Sequence, residues 1–460
     1  MRVIVVTEQY LPMLGGVPTV TANLAQDLAA AGHQAWVVAP SQGNYNEESL
    51  EGRVRVHRFA SFEWPNFNGQ RIVFPPVAPL HRLFREVRPD IVHIHSPIVL
   101  GTLAQLLAGR MRVPVVGTNH YMPVGMAPTL SSGARIGKGF EAIAYSYLTG
   151  FYNRCDMVTA PTATALELLK RHGLRVPSRA ISNGIDRQRF NPRPRDEALR
   201  RRLGLPSDRP LLLYLGRLSD EKRVHVLLDA MAQLHTPAHL AIGGDGPARD
   251  ELEAHATALG ITRRVTFLGR VSDDDLVPVY RLADVFAMPS VAELQSVATL
   301  EALAVGLPVV AANVGALPEL VHHGENGLLF APDDSTDLTA CLERLAGDTA
   351  LRQRMAACAL ETVIPHDRQR VVVEWERLYT DLAAHQREAL ARRRRGKAGR
   401  AERGLSPRLG RRAPVHAAAT QPMVVTRASK GKTAKTRRPP RQPRGVIAPP
   451  LPPAPPVTES

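Results

Sequence analysis

Cysteine is nearly missing from this chain: its 460 residues include three, Cys155, Cys341 and Cys358. They are far apart and odd in number, and none belongs to a Cys-x-x-Cys or Cys/His cluster. A disulfide-built scaffold and a zinc module are therefore excluded. Each cysteine reads as a small buried hydrophobe, and a reducing, cytoplasmic compartment is the expectation. No uninterrupted apolar run of about 18 residues occurs, so no membrane-spanning helix is expected. The opening stretch, Met1 to Glu8, is too short and too acidic at its end for a secretory signal. Aromatic residues are sparse at 5%, and no aromatic-rich RNA motif accompanies the basic runs, which argues against a nucleic-acid binder.

The net charge of +15 is localised rather than general. Residues 391–460 hold 18 Lys/Arg against two Glu, leaving 40 basic and 41 acidic residues for the rest. The body is thus near neutral and the tail basic. Proline, arginine, lysine, alanine and serine dominate that tail, which predicts disorder. Its end, Ala448 to Pro456, favours polyproline II.

Within the body, β-branched runs alternate with helical patterns. Val3 to Val6 precedes a Gly-Gly turn, a helix pattern with Val20, Leu24 and Leu28 on one face, and a stop at Gly32. Strand patterns follow at Ala35 to Ala39, Ile91 to Ile94, Val113 to Thr118, Met157 to Pro161 and Arg179 to Gly184. After a Pro- and Arg-rich stretch the rhythm restarts at Pro210 to Gly216 and continues near 239–242, 265–268, 284–288, 308–311 and 327–330. This is an α/β chain with two successive Rossmann-like domains, residues 1–195 and 196–375. A helix at 376–390 packs back toward the first domain, and the tail follows from 391. Ligands of such sheets bind at the carboxyl ends of the strands, so the central cleft is the expected site.

Three groups of residues carry chemistry. Glu293 lies in a turn between a strand and a helix, and Glu301 lies on that helix. The backbone N–H groups of Leu294, Gln295, Ser296 and Val297 would form an anion site suited to a diphosphate, while a carboxylate at Glu301 accepts two bonds from a ribose diol. Arg217 and Lys222 follow the strand that opens the second half, and two cations there neutralise a departing diphosphate. His120, in Gly117-Thr118-Asn119-His120, is the third. Asp273, Asp274 and Asp275 stand just before a helix and read as an N-cap and first-turn charge rather than a metal cluster.

Together these residues resemble glycosyltransferase family 4, which has the GT-B fold. Glu293 and Glu301 match its Glu-x7-Glu motif, and Arg217 and Lys222 its Arg-x4-Lys motif. Gly244-Asp245-Gly246-Pro247 and Phe267-Leu268-Gly269-Arg270-Val271 match two further loops, and Gly15-Gly16 the glycine-rich N-terminal loop. The resemblance implies that Arg217 and Lys222 hold the diphosphate of a UDP- or GDP-hexose and that Glu301 holds its ribose. Glu293 would contact the donor hexose, Val271 would flank the nucleobase, and Gly15 and Gly16 would let a loop approach the phosphate. His120 matches the family's active-site histidine. The family is retaining and works without a divalent metal, so no metal or other cofactor is expected.

Where many members have Glu-Gly-Phe-Gly, this chain has Glu293-Leu294-Gln295-Ser296. With Thr118 to Pro123, that variant resembles the branch of diacylglycerol glucosyltransferases and some lipid mannosyltransferases. A lipid or other alcohol acceptor is the implied partner. Phe140, Ile143, Ala144, Tyr147, Leu148 and Phe151 recur at helical spacing after Arg135 and Lys138, as in a helix lying on a peripheral, anionic membrane surface or packing into its own domain. Arg82, Arg85 and Arg88 form a second basic row. An epimerase or a polysaccharide synthase of the same architecture remains an alternative.

Overall fold

The computed structural model describes residues 1–13, 15–63, 70–123 and 134–404. Residues 1–399 form one compact unit. Of residues 400–460 only the helical end up to Gly404 is described.

The first half runs β1 (Arg2–Val6), α1 (Gly16–Ala30), β2 (Gln34–Pro40), β3 (Glu47–Glu51), β4 (Val54–Phe59), β5 (Ser61–Glu63), β6 (Arg71–Val73), α2 (Val77–Val87), β7 (Ile91–Ile94), α3 (Val99–Met111), β8 (Val115–Thr118), α4 (Ala134–Tyr152), β9 (Met157–Ala160), α5 (Ala163–Arg171) and β10 (Ser178–Ala180). The second half runs α6 (Glu197–Arg202), β11 (Leu211–Leu215), α7 (Val224–Gln233), β12 (His239–Gly243), α8 (Arg249–Ala258), β13 (Val265–Gly269), α9 (Asp273–Leu282), β14 (Val285–Met288), α10 (Val297–Ala304), β15 (Val309–Ala312), β16 (Gly327–Phe330), α11 (Ser335–Gly347), α12 (Thr349–Thr362) and α13 (Arg368–Gly404).

These strands make an eight-stranded sheet ordered β10-β9-β8-β7-β1-β2-β4-β3 and a six-stranded sheet ordered β13-β12-β11-β14-β15-β16. Within these two sheets all pairings are parallel except that of the edge strand β3 with β4, and β5 and β6 form a separate antiparallel pair. The reading above places no element between Ala39 and Ile91, where β3 to β6 and α2 lie. Strand β3 is charged and largely exposed, so it lacks the alternation that marks a half-buried strand. Strand β4 has that alternation at buried Val54 and Val56.

Hydrophobic packing locates the passage between the halves. Ile181 belongs to the core of the first sheet, whereas Ile185 and Phe190 already belong to that of the second. The chain therefore leaves the first core at 182–184 and has joined the second by Ile185. It returns between Val363, in the second core, and Val371, in the first. The two passages lie side by side: Ile185 N–H donates to His366 O at 2.8 Å and Arg368 N–H to Ile185 O at 3.0 Å.

The returning helix starts at Arg368 rather than 376 and continues to Gly404, through residues expected to be disordered from 391 onward. Val371, Trp375, Leu378, Tyr379 and Ala383 form its buried row, packed against Val3, Val5 and Val37 of the first sheet. The spacing of that row keeps one face on the sheet for more than three turns. Residues 405–460, with the basic Pro-rich tail, lie outside the described residues. Because Trp375 is 4% exposed, Trp375→Ala is expected to cost about 3–5 kcal/mol, read as a lower urea midpoint.

Candidate active site

In each sheet the strand order reverses once, and the loops at that reversal form a crevice. In the second sheet the reversal falls between β11 and β14. The loop after β11 carries Arg217 and Lys222, and the loop after β14 carries Glu293. Lys222 Nζ donates to Glu293 Oε1 at 2.7 Å, with the side chains 19% and 11% exposed. Backbone bonds tie the same loops: Val291 N–H donates to Glu221 O at 3.0 Å. The Arg217 carbonyl accepts the Tyr214 hydroxyl at 2.8 Å, while its side chain is exposed at the loop surface.

Neighbouring strand ends complete this side. Gly244 N–H donates to Gly269 O at 2.8 Å, and Leu218 N–H to Asp245 O at 3.0 Å. A Cβ at Gly243 would lie 3.0 Å from Val271 Cγ2, so Val271 and Gly244 border the same end of the sheet as Arg217. On α10, Ser296 caps the helix by accepting from Thr299 N–H at 3.2 Å. The N–H groups of Leu294, Gln295, Ser296 and Val297 donate to no acceptor among the described residues, the last two as the start of a helix leaves them and the first two in the turn before it. Glu301 Oε2 accepts the Tyr280 hydroxyl at 2.8 Å, and burial pushes the carboxyl up to about 7. Tyr280 is a partner that sequence spacing did not reveal.

The first half supplies the facing side. Gly15 caps α1 at φ 143°, and a Cβ on Gly16 would lie 3.9 Å from Val297 Cγ2. The glycine loop and the start of α10 are thus neighbours across the two halves. His120 follows β8, and its Nε2 lies 2.9 Å from His95 Nδ1. Burial pushes the His120 imidazole down to about 4, which keeps it neutral at pH 7. His93 and His95 were absent from the sequence reading, although both stand at the end of β7. Glu8, at the end of β1, accepts from Leu100 N–H at 2.5 Å, and burial raises it to about 8.

Gln295 and Leu294, in the loop before α10, act as fasteners. Gln295 Oε1 accepts from Asn183 N–H at 2.8 Å, and the Leu294 carbonyl accepts from Thr162 Oγ1 at 2.7 Å. The Leu294 side chain packs against buried Ala160, Ala165 and Leu166. Glu319 accepts from Ala163 N–H at 3.1 Å and Thr164 N–H at 2.6 Å, at the start of α5. Gln295 and Leu294 therefore join this loop to the first half.

Several sequence expectations change. The cap of α9 is Ser272, which accepts from Asp275 N–H at 3.2 Å, and the aspartates fill the first turn. Asp273 pairs with Arg189 at 2.8 Å and Asp275 with Arg202 at 2.5 Å. Cys155 and Cys341 are buried as expected, but Cys358 is exposed. On α4 the apolar stripe is split. Leu148 and Phe151 are buried, while Ile143 and Tyr147 are 71% and 54% exposed. The inward row is Tyr145, Leu148 and Tyr152, at helical i, i+3 and i+7. The side chains of Arg135, Lys138 and Phe140 lie outside the described residues. No described helix is long and apolar enough to cross a membrane.

Two family models match: Glycosyltransferase Family 4 over residues 14–189 and Glycosyl transferases group 1 over residues 195–361. A GDP-mannose-dependent alpha-mannosyltransferase of Mycobacterium tuberculosis is 32% identical over 337 residues, 72% of this chain and 83% of the relative. This chain is a family 4 glycosyltransferase. The alpha-monoglucosyldiacylglycerol synthase of Acholeplasma laidlawii is 26% identical to this glycosyltransferase over 396 residues, 83% of the chain and 97% of that protein. The solved structure of Anabaena HepE in complex with UDP and glucose superposes with TM-score 0.68 at 24% identity, covering 83% of the glycosyltransferase and all (100%) of that chain. The GT-B fold is thereby established, and the enzyme transfers a sugar from a nucleotide sugar.

Proposed function

We propose that this glycosyltransferase moves a hexose, glucose or mannose, from UDP or GDP to a hydroxyl of a lipid such as diacylglycerol, retaining the anomeric configuration without a divalent metal. The observation that carries this reading is the Lys222–Glu293 pair at the strand-order reversal, 2.7 Å apart, beside the loop of Arg217. Arg217, Lys222 and the N-terminus of α10 supply positive charge where a diphosphate leaves. Glu293, held by Lys222, is placed to accept from sugar hydroxyls. In a same-face reaction the bond from the anomeric carbon to the leaving phosphate oxygen breaks as the acceptor oxygen bonds on that face. The leaving phosphate takes the acceptor proton. His120, neutral at pH 7, would act from the facing side on the sugar as it transfers.

The lipid reading draws on exposed Ile143 and Tyr147 and on the name of the Acholeplasma relative. Arg82, Arg85 and Arg88 are exposed and suit an anionic headgroup layer, which makes peripheral attachment to the inner face of the cell membrane the proposed location.

The test is a panel of UDP- and GDP-hexoses with diacylglycerol in detergent micelles, with and without EDTA, and NMR of the product linkage. An α-linked glycolipid formed equally in EDTA is expected. A β-linked product, dependence on added metal, or transfer only to soluble glycans would overturn the corresponding part. Conversion of the donor sugar without acceptor would instead mark an epimerase.

Glu301 gives a pH signature. Its carboxyl is raised from 4.5 to about 7 by burial. Between those values the folded protein keeps a proton that the unfolded chain has released, so this group's contribution to stability declines as pH rises through that window. Ribose hydroxyls favour the carboxylate, so donor binding draws the proton off. Nucleotide affinity is therefore expected to rise by about threefold or more from pH 6 to pH 8, and Glu301→Gln to flatten the profile. Calorimetric titration with UDP or GDP measures both.

A further inference from the structure

The three histidines at the ends of β7 and β8 form one array, His93 and His95 buried and His120 partly buried. The His93 ring centroid lies 4.1 Å from that of His95, and the His95 and His120 rings lie 5.1 Å apart with planes 9° from parallel. His93 is fully engaged: Nδ1 lies 2.7 Å from the Tyr379 hydroxyl of α13 and Nε2 2.6 Å from Thr118 Oγ1. His95 is not. Its Nδ1 meets His120 Nε2 at 2.9 Å. Its Nε2 is buried without a partner among the described residues, and the ring borders a small cavity beside Trp375 and Ser182.

Neutral imidazole carries one N–H and one lone pair. Only one proton therefore lies between His95 and His120, and it decides what His120 offers at its remaining nitrogen. If His120 donated it, His95 would be left with a buried N–H at Nε2 and no acceptor, the less tolerated of the two defects. With the proton on His95 Nδ1, the unpartnered atom is a lone pair, and His120 must carry its own proton on Nδ1. Burial holds all three rings below their ordinary range, so a shared imidazolium does not relax this constraint.

We infer that His95 is a positioning residue that donates Nδ1–H to His120 Nε2 and thereby fixes His120 as the Nδ1–H tautomer, a proton donor toward an oxygen of the nucleotide sugar. The consequence for transfer rests on the function proposed above; the tautomer itself does not. His93, anchored by Tyr379 of α13, packs against His95 with the ring planes tilted by 41°. His95 is expected to act on the chemical step rather than on donor affinity.

The test uses the full chain labelled with 15N-histidine and observed by two-bond 1H–15N correlation, where tautomers have distinct nitrogen shifts. In the wild type, His120 is expected as a single species protonated at Nδ1. His95→Phe keeps a ring but removes the donor: a mixture of His120 tautomers is expected, with kcat lowered about 10- to 100-fold and donor KM within about threefold. His95→Asn places an amide N–H near the lost Nδ1–H and is expected to restore the single tautomer and most of kcat. Protonation of wild-type His120 at Nε2 overturns the inference, and this needs no variant to fold. So does an unchanged tautomer and rate in His95→Phe. A wild-type enzyme with the expected tautomer but no transfer from any nucleotide sugar would overturn the proposed function while leaving the His95–His120 assignment standing.

Discussion

Lys222→Ala is expected to lower kcat/KM for sugar transfer by about 10²–10³-fold. Two losses combine. The ammonium is removed from beside the leaving diphosphate, and Glu293, 11% exposed, keeps its charge without the partner that justified burying it. The second loss alone costs about 1–3 kcal/mol of stability, so the single variant should also melt earlier. The double variant Lys222→Ala with Glu293→Gln separates the effects. Its neutral amide no longer needs a cation, so the melting temperature should recover most of the way while kcat/KM stays low. Steady-state kinetics with the preferred donor, alongside calorimetric melting, reads both. A single variant within about threefold of wild-type kcat/KM would mean that Lys222 is a structural partner of Glu293 and no more.

Gly244→Ala should lower stability by about 3 kcal/mol or more. Gly244 has φ 129°, and a Cβ there would sit 1.8 Å from the carbonyl oxygen of Gly216. Both sides of that contact are backbone, so no side chain can swing away. Relief requires moving the loop that carries Arg217, and donor KM should rise with it. Gly204→Ala is the control. Its φ is 66° but nothing lies within 4 Å of the added carbon, so only the conformational penalty of about 1–2 kcal/mol applies. Equal destabilisation of the two variants would show that the backbone-to-backbone approach at Gly244 is not what demands glycine.

These sites differ in how far they could be read in advance. Arg217 and Lys222 follow a fully buried β-run, and local pattern places them at a strand's carboxyl end without further information. By contrast, His95 stands at the end of its own strand and gains meaning only from His120, 25 residues away. Gln295 finds Asn183 across 112 residues, and Tyr280 finds Glu301 across 21. None of these pairings has a period that a linear reading detects. On α4 the stripe misled because adjacent helical rows, 143/147 and 144/148/151, merge in sequence yet face solvent and core separately.

What the sequence alone determined was the alternation of strands and helices, the repetition of that unit in two halves and the presence of Arg217 and Lys222 at a strand's carboxyl end. These follow from hydrophobic periodicity and from local rules of helix and turn chemistry, which act within a few residues. Only the tertiary structure decided where the chain passes between its halves, that α13 starts at Arg368 and carries Tyr379 to His93, and that Gln295 and Leu294 tie the donor loop to the first half. Those outcomes depend on burying surfaces that are hundreds of residues apart in the chain. Burial is a property of the packed whole, and no local window contains it.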